Sequence, residues 1–272
     1  MKGFAHHPYE SPTAFLRTPG VRPGTITIEY GGMPIDLMYE DRGYDATVIF
    51  FHAALNRDTA QIPAFIGGSF SEGIPANRVF VADPSLAMHP ELRLAWYAGN
   101  ARQPDLQFLL PSILHHLIPA GQRVVLFGPS GGGFAALYYG TFFPGSVAVA
   151  VNPQTSLFRY HAHEVQPWID LAWAPGLGLA DLPVTVDLTA RYRFSVETEA
   201  WFVQNRGDTF HVREHQTPFL SAMHESNRVH LIDLDSGDGH IPPPREQLAT
   251  IVDAAVRGQE RPSSETISTI TS

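Results

Sequence analysis

No cysteine occurs in the 272 residues, which excludes disulfides, thiolate-bound metals and a cysteine nucleophile. Lysine is nearly missing too: Lys2 stands alone, and every other basic side chain is an arginine. A Walker-type phosphate loop needs Gly-Lys-Ser/Thr, so that reading falls. The formal net charge is −9 with no block of positive charge, and without clustered cations nucleic acid is not an expected partner. No apolar run reaches membrane-spanning length, and the opening "MKGFAHHPYE" lacks the apolar centre of a signal peptide. A cytoplasmic protein with no membrane partner is the expectation.

What is present reads as an α/β domain. Residues 1–24, rich in Pro, Gly and His, are expected to form an irregular leader, and 257–272 a disordered tail. Between them, 25–256 alternates apolar runs with helical patterns. Strands are expected at 25–30, 35–40, 46–56, 77–85, 122–127, 146–152, 200–205 and 228–234. Helices are expected at 105–118, with Pro111 as a kink or early break, at 133–143 and at 245–256. This alternation implies a mainly parallel sheet covered on both faces. Residues 153–199 are too long for a plain connection and carry Phe158, Tyr160, Trp168, Trp173, Tyr192 and Phe194. They are expected to form a cap over a site at the carboxyl edge of the sheet.

The chemistry concentrates in "VVLFGPSGGGFAALYYG", residues 124–140. A dinucleotide loop would need G-x-G-x-x-G, which "GPSGGG" does not supply. Gly128-Pro129-Ser130-Gly131-Gly132 does match G-x-S-x-G. A serine at the tip of a strand-to-helix turn takes a strained backbone conformation, and side chains at 128 and 132 would collide there. The turn also aims the Gly131 amide at the place where an oxyanion develops.

On these residues the chain resembles the α/β-hydrolase superfamily, whose nucleophile, acid and histidine follow successive strands in that order. "VVLF" leads to Ser130, "AWFVQNRGD" to Asp208 and "RVHLIDLDSGDGH" to His240. The resemblance implies that His240 takes the Ser130 proton and that Asp208 holds the imidazole. Some members carry the acid one strand earlier, but there this chain has Asn152-Pro153-Gln154-Thr155, without a carboxylate. Asp233, Asp235, Asp238 and Glu214 are the alternatives to Asp208. The second oxyanion amide is expected from Ala53 or Ala54 in "FHAALN", where the family often has His-Gly; His52 is expected to support that loop.

His52, Trp96, Tyr97, Trp168 and Trp173 are the expected walls of the substrate pocket. "HAHE" (161–164) and "HVREH" (211–215) lack the glutamate placement and third ligand of a zinc hydrolase, so neither a metal nor a cofactor is expected. His211 follows Asp208 closely enough to sit near the site. The expected function is a carboxylesterase-like serine hydrolase acting on a small or medium ester through an acyl-serine intermediate. Two alternatives stay open: an acyltransferase using the same triad, and a non-catalytic hydrolase-fold accessory protein of a secretion or glycan pathway. A homodimer is the default assembly for such a chain.

Overall fold

The computed structural model describes residues 5–263 together with Glu265 and Ile267. Nine strands form one sheet: β1 (His6–Tyr9), β2 (Gly24–Tyr30), β3 (Met33–Glu40), β4 (Ala46–Phe51), β5 (Asn77–Val81), β6 (Arg123–Pro129), β7 (Val147–Val151), β8 (Glu199–Asn205) and β9 (Val229–Leu234). Their spatial order is β1-β2-β3-β5-β4-β6-β7-β8-β9. From β5 to β9 every pairing is parallel; β3 pairs antiparallel with both β2 and β5. The β2–β3 hairpin closes on Gly31-Gly32, both at positive φ, as a two-residue primed turn demands.

Strand alternation builds two cores. Val48, Phe50, Val125, Phe127, Val147 and Val149 face one side of the sheet, where the helix Arg245–Arg257 packs with Leu248, Ile251 and Val252. Ile49, Phe51, Leu126, Ala148 and Ala150 face the other, against the helices Leu106–Leu117 and Gly131–Gly140. The alanines on that face let the Gly-rich helix approach closely: a Cβ on Gly140 would sit 3.3 Å from that of Ala148.

Three expectations need correction. Residues 6–9 are not irregular but an edge strand parallel to β2, followed by a short helix, Pro12–Leu16, capped by Ser11. Phe15 on that helix is fully buried and pins the segment to the main core. Pro111 neither ends nor splits its helix, which runs from Leu106 to Leu117. One lost backbone hydrogen bond is outweighed there by burial of Leu106, Leu110, Ile113, Leu114 and Leu117 on one face. Of the expected tail, 264, 266 and 268–272 lie outside the described residues, but Ile267 is buried in the core beside helix Arg245–Arg257. No described helix is long and apolar enough to cross a membrane.

The chain leaves β4 to one side for β5 and returns to its other side for β6, so strand order reverses at β4. Ligand crevices open at the carboxyl ends of strands at such a reversal. Here those ends carry His52 and Ser130.

Candidate active site

Ser130 sits between β6 and the helix Gly131–Gly140 at φ 55° and ψ −117°, a conformation that L-residues adopt only under constraint. The constraint is backbone packing. A Cβ on Gly128 would lie 2.0 Å from the Gly132 carbonyl oxygen, and one on Gly132 would lie 2.5 Å from that of Phe51. The glycines therefore let the turn close onto the end of β4, and Ser130 N–H donates to Val151 O at 2.8 Å.

The other two residues arrive from neighbouring strand ends. Asp208 follows β8 and is buried; His240 lies six residues beyond β9 and is partly exposed. Nδ1 of His240 donates to Asp208 Oδ2 at 2.6 Å, and its Nε2 lies 3.1 Å from Ser130 Oγ. Two buried asparagines hold the histidine loop. The Asn205 amide donates to the carbonyls of Gly237 and Gly239, at 2.7 and 2.9 Å, and its Oδ1 accepts from Ser236 N–H. Asn152 donates to Ile241 O at 3.0 Å and accepts from Asn205 N–H at 2.7 Å.

The alternative acids lie elsewhere. Asp233 and Asp235 face Arg206, and Glu214 pairs with Arg213 and Arg159. Asp238 lies beside His240, but the ring donates its hydrogen bond to Asp208.

Two further groups meet the line, of which the sequence points only to His211. Gln154, fully buried after β7, donates from Nε2 to Ser130 Oγ at 2.6 Å and accepts from the Trp96 indole N–H at 3.0 Å. It occupies the segment where some hydrolases keep their acid, so a search for carboxylates passed over it. His211 stacks on His240 with ring centres 4.1 Å apart, and its Nδ1 lies 2.8 Å from Asp208 Oδ2, close but not aligned as a hydrogen bond. Asp208, His211 and His240 bring metal-ligand atoms within 4.8 Å of one another. Both rings, however, already turn Nδ1 to the carboxylate, and their Nε2 atoms face Ser130 and Gln154.

A cavity of about 500 Å³ opens at Ser130, within the size range of small-molecule sites. Phe70, Phe127, Val151 and Leu248 supply apolar wall; Arg93, Glu164 and Arg245 add charge. His52, Ala53 and Ala54 border it, and Ala53 needs no positive φ, so the missing glycine leaves no strain. His52 is buried; its ring lies 2.8 Å from Ala53 O through Nδ1 and accepts from Asp83 N–H.

The expected aromatic walls need correction. Trp96, Tyr97 and Trp168 are buried to within 1% of complete and pack in the core behind the site, and Trp173 packs against the same core. Their rings contact one another rather than open space: Trp168 meets both Trp96 and Trp173 edge-on. From the 153–199 segment, Tyr160 and Glu164 reach the cavity. Trp96 and Tyr97 share with Ser130 and Asn152 a positive φ.

Burial pushes the Asp208 carboxyl up, but hydrogen bonds from His211 and His240 outweigh this and hold it well below the usual carboxylate range. Burial lowers His211, takes His52 down to about 4 and His215 to about 3, so these rings stay neutral in the fold. Asp83 goes the other way, raised to about 6 by burial against the opposing hydrogen bonds of Tyr97 and Ser85.

The stability consequence follows from the signs. The two histidines contribute stability present above pH 6.5 and lost as pH falls toward 4 and 3; Asp83 contributes stability present below 3.8 and lost as pH rises through 6. Two losses against one gain make the summed contribution of these three groups about 3–4 kcal/mol smaller at pH 4 than at pH 7, and the lowered His211 and Asp208 add to the loss. Urea titrations at the two pH values should show this, with a smaller difference in His215→Gln. Equal stability at both would refute the assignment of neutral buried rings.

No family model matches the chain, and no curated protein matches it. Solved structures do. The capsule O-acetyltransferase of Neisseria meningitidis serogroup A aligns over 83% of this chain and 92% of its own, with a TM-score of 0.60 at 19% identity. An S-formylglutathione hydrolase from Agrobacterium tumefaciens aligns over 90% and 95%, with a TM-score of 0.59 at 13% identity. For a putative esterase from Staphylococcus aureus the coverages are 89% and 90%, the TM-score 0.51 and the identity 12%. Together with the parallel sheet and the strained strand-to-helix turn at Ser130, these likenesses identify the fold as that of the α/β-hydrolases.

Proposed function

We propose that the chain is a serine hydrolase of carboxylic esters. The observation that carries this reading is the hydrogen-bonded line from Asp208 through His240 to Ser130 at the floor of an open cavity. A serine hydroxyl is a weak nucleophile at neutral pH and gains strength from a base positioned to take its proton. In the proposed reaction Ser130 Oγ attacks the acyl carbon while its proton passes to His240 Nε2. The leaving alcohol departs with that proton, and water then cleaves the acyl-serine by the same route in reverse. Asp208 keeps the imidazole in the Nδ1–H tautomer and stabilises its charged form. The developing oxyanion is assigned to the amide of Gly131, at the unpaired start of its helix, with that of Ala53 or Ala54.

The cavity points to the substrate. Its apolar wall of Phe70, Phe127, Val151 and Leu248 suits an aliphatic or aryl acyl group; Arg93 is paired with Glu164 at 3.9 Å, which leaves Arg245, among the described residues, as the cation facing the cavity without a paired carboxylate there. An acyltransferase with the same three residues is the second reading, favoured by the likeness to a capsule O-acetyltransferase, which has also been solved in complex with CoA.

Fluorophosphonate labelling followed by peptide mass spectrometry tests the core of this. One adduct is expected on Ser130, absent in Ser130→Ala. A folded protein that takes up no label would return the chain to the accessory-protein reading. Hydrolysis of a chromogenic ester series then separates the two enzymes: release of free acid in water supports the hydrolase. Turnover only on addition of a sugar or other alcohol acceptor supports the transferase.

A further inference from the structure

One donor-only group sets the proton positions of the whole site. An indole N–H can donate but never accept, so the atom of Gln154 that faces Trp96 Nε1 at 3.0 Å has to be Oε1. That fixes the other end of the amide. Nε2, which can only donate, lies 2.6 Å from Ser130 Oγ and 3.3 Å from His211 Nε2.

Two chains of consequence run from there. Ser130 Oγ accepts from Gln154 on one lone pair, which leaves its hydroxyl proton free to point at His240 Nε2. That nitrogen is then unprotonated, and the His240 proton sits on Nδ1 against Asp208. On the other side, His211 Nε2 accepts from Gln154, so its proton sits on Nδ1, which lies 2.8 Å from the same carboxylate oxygen without aligning as a hydrogen bond. Both rings are thus placed in the Nδ1–H tautomer, the less favoured form of a histidine side chain free in water. Around His211 the ionisable neighbours are Asp208, His240, His215, His161 and Tyr160. Asp208 is the carboxylate among them.

We propose that Gln154 is a catalytic hydrogen-bond donor to the Ser130 oxygen and that Trp96 and His211 are positioning residues acting through it. This rests on Ser130 being the nucleophile. The amide holds Oγ in one rotamer with its proton directed at His240. Once the serine is acylated, the same N–H faces the Oγ that must leave, where it stabilises the departing alkoxide. Sequence reading had Trp96 as a pocket wall; its ring instead supplies the fixed reference from which the site's protons are ordered.

Nitrogen-15 NMR of histidine-labelled protein at neutral pH reads the tautomers directly, with His211→Gln and His240→Gln used to assign the signals. His211 is expected neutral with its proton on Nδ1. Gln154→Met, similar in length but without donors, should release His211 from that tautomer and slow fluorophosphonate labelling of Ser130 by about ten- to a hundredfold. Trp96→Phe, which keeps the ring but frees the amide to turn over, should do the same to a smaller degree.

His211 found protonated, or carrying its proton on Nε2 in the unaltered protein, would overturn the proposal with no variant needed. So would a folded Gln154→Met labelled within twofold of the parent rate. Absence of labelling in the parent protein would instead count against Ser130 as nucleophile, while the tautomer result would still decide the network.

Discussion

Asp208→Asn is expected to lower kcat/KM for a chromogenic ester by about four orders of magnitude while leaving the fold intact. The site gives an amide no orientation that works. Oδ2 of Asp208 faces two imidazole nitrogens, at 2.6 and 2.8 Å, and Oδ1 accepts the backbone N–H of His211 at 3.1 Å. With the amide nitrogen at the Oδ2 place, both rings meet a donor; His240 must move its proton to Nε2, and His211 has no such escape because its Nε2 already faces the Gln154 donor. His240 then has no lone pair for the Ser130 proton. With the nitrogen at the Oδ1 place, it opposes the His211 N–H instead, and a buried donor is left without an acceptor. Steady-state rates beside a thermal melt would check this. A loss below tenfold in a folded variant would remove Asp208 from the acid role and reopen Asp238, its neighbour across the His240 loop.

The second large effect is structural. Gly132→Ala adds a methyl group 2.5 Å from Phe51 O and 2.8 Å from His52 O, distances no Cβ tolerates. Both contacts are backbone, so no side chain can swing aside. Either the end of β4 or the start of the Gly131–Gly140 helix must shift. We expect a loss of about 3 kcal/mol and a melting temperature lower by roughly 6–12 °C. Activity should fall further than stability, because the displaced strand end carries Ala53 and the displaced turn carries Ser130. Gly145→Ala is the comparison: a Cβ there meets nothing within 4 Å, although its positive φ costs some strain. A Gly132→Ala protein as stable and as active as the parent would refute the view that close backbone approach builds this turn.

The main line of the site was readable because each of its residues follows a strongly apolar strand. Runs such as "VVLF" and "AVAV" announce buried parallel strands, and a short polar loop after one falls at the same sheet edge as all the others. Ser130, Asp208 and His240 therefore stood out by position as much as by type. Gln154 also follows such a strand, but an amide carries no signature of reactivity, and only three dimensions show that it meets Ser130, Trp96 and His211 together. The aromatic residues misled for a related reason. Composition cannot tell a pocket wall from a core, and Trp168 turned inward because the Gly99 carbonyl lay within reach of its indole at 3.3 Å. The leader was misread because four strand residues beside Pro and His carry little periodicity. Phe15, the one large apolar residue of Pro12–Leu16 that is fully buried, does the anchoring.

Four non-glycine residues hold a positive φ among the described residues, and each is Ser130 or supports what surrounds it: Ser130 itself, Trp96 through Gln154, Tyr97 through the hydroxyl that accepts the His52 N–H, and Asn152 through the histidine loop. Such conformations cost on the order of 1–3 kcal/mol apiece. In evolutionary terms, this concentrates the protein's stability deficit at the place where its chemistry is proposed to occur. A lineage drifting toward a purely structural role would gain robustness by relaxing these four positions first. One kept under selection for turnover would hold them and adjust elsewhere, in the two well-packed cores.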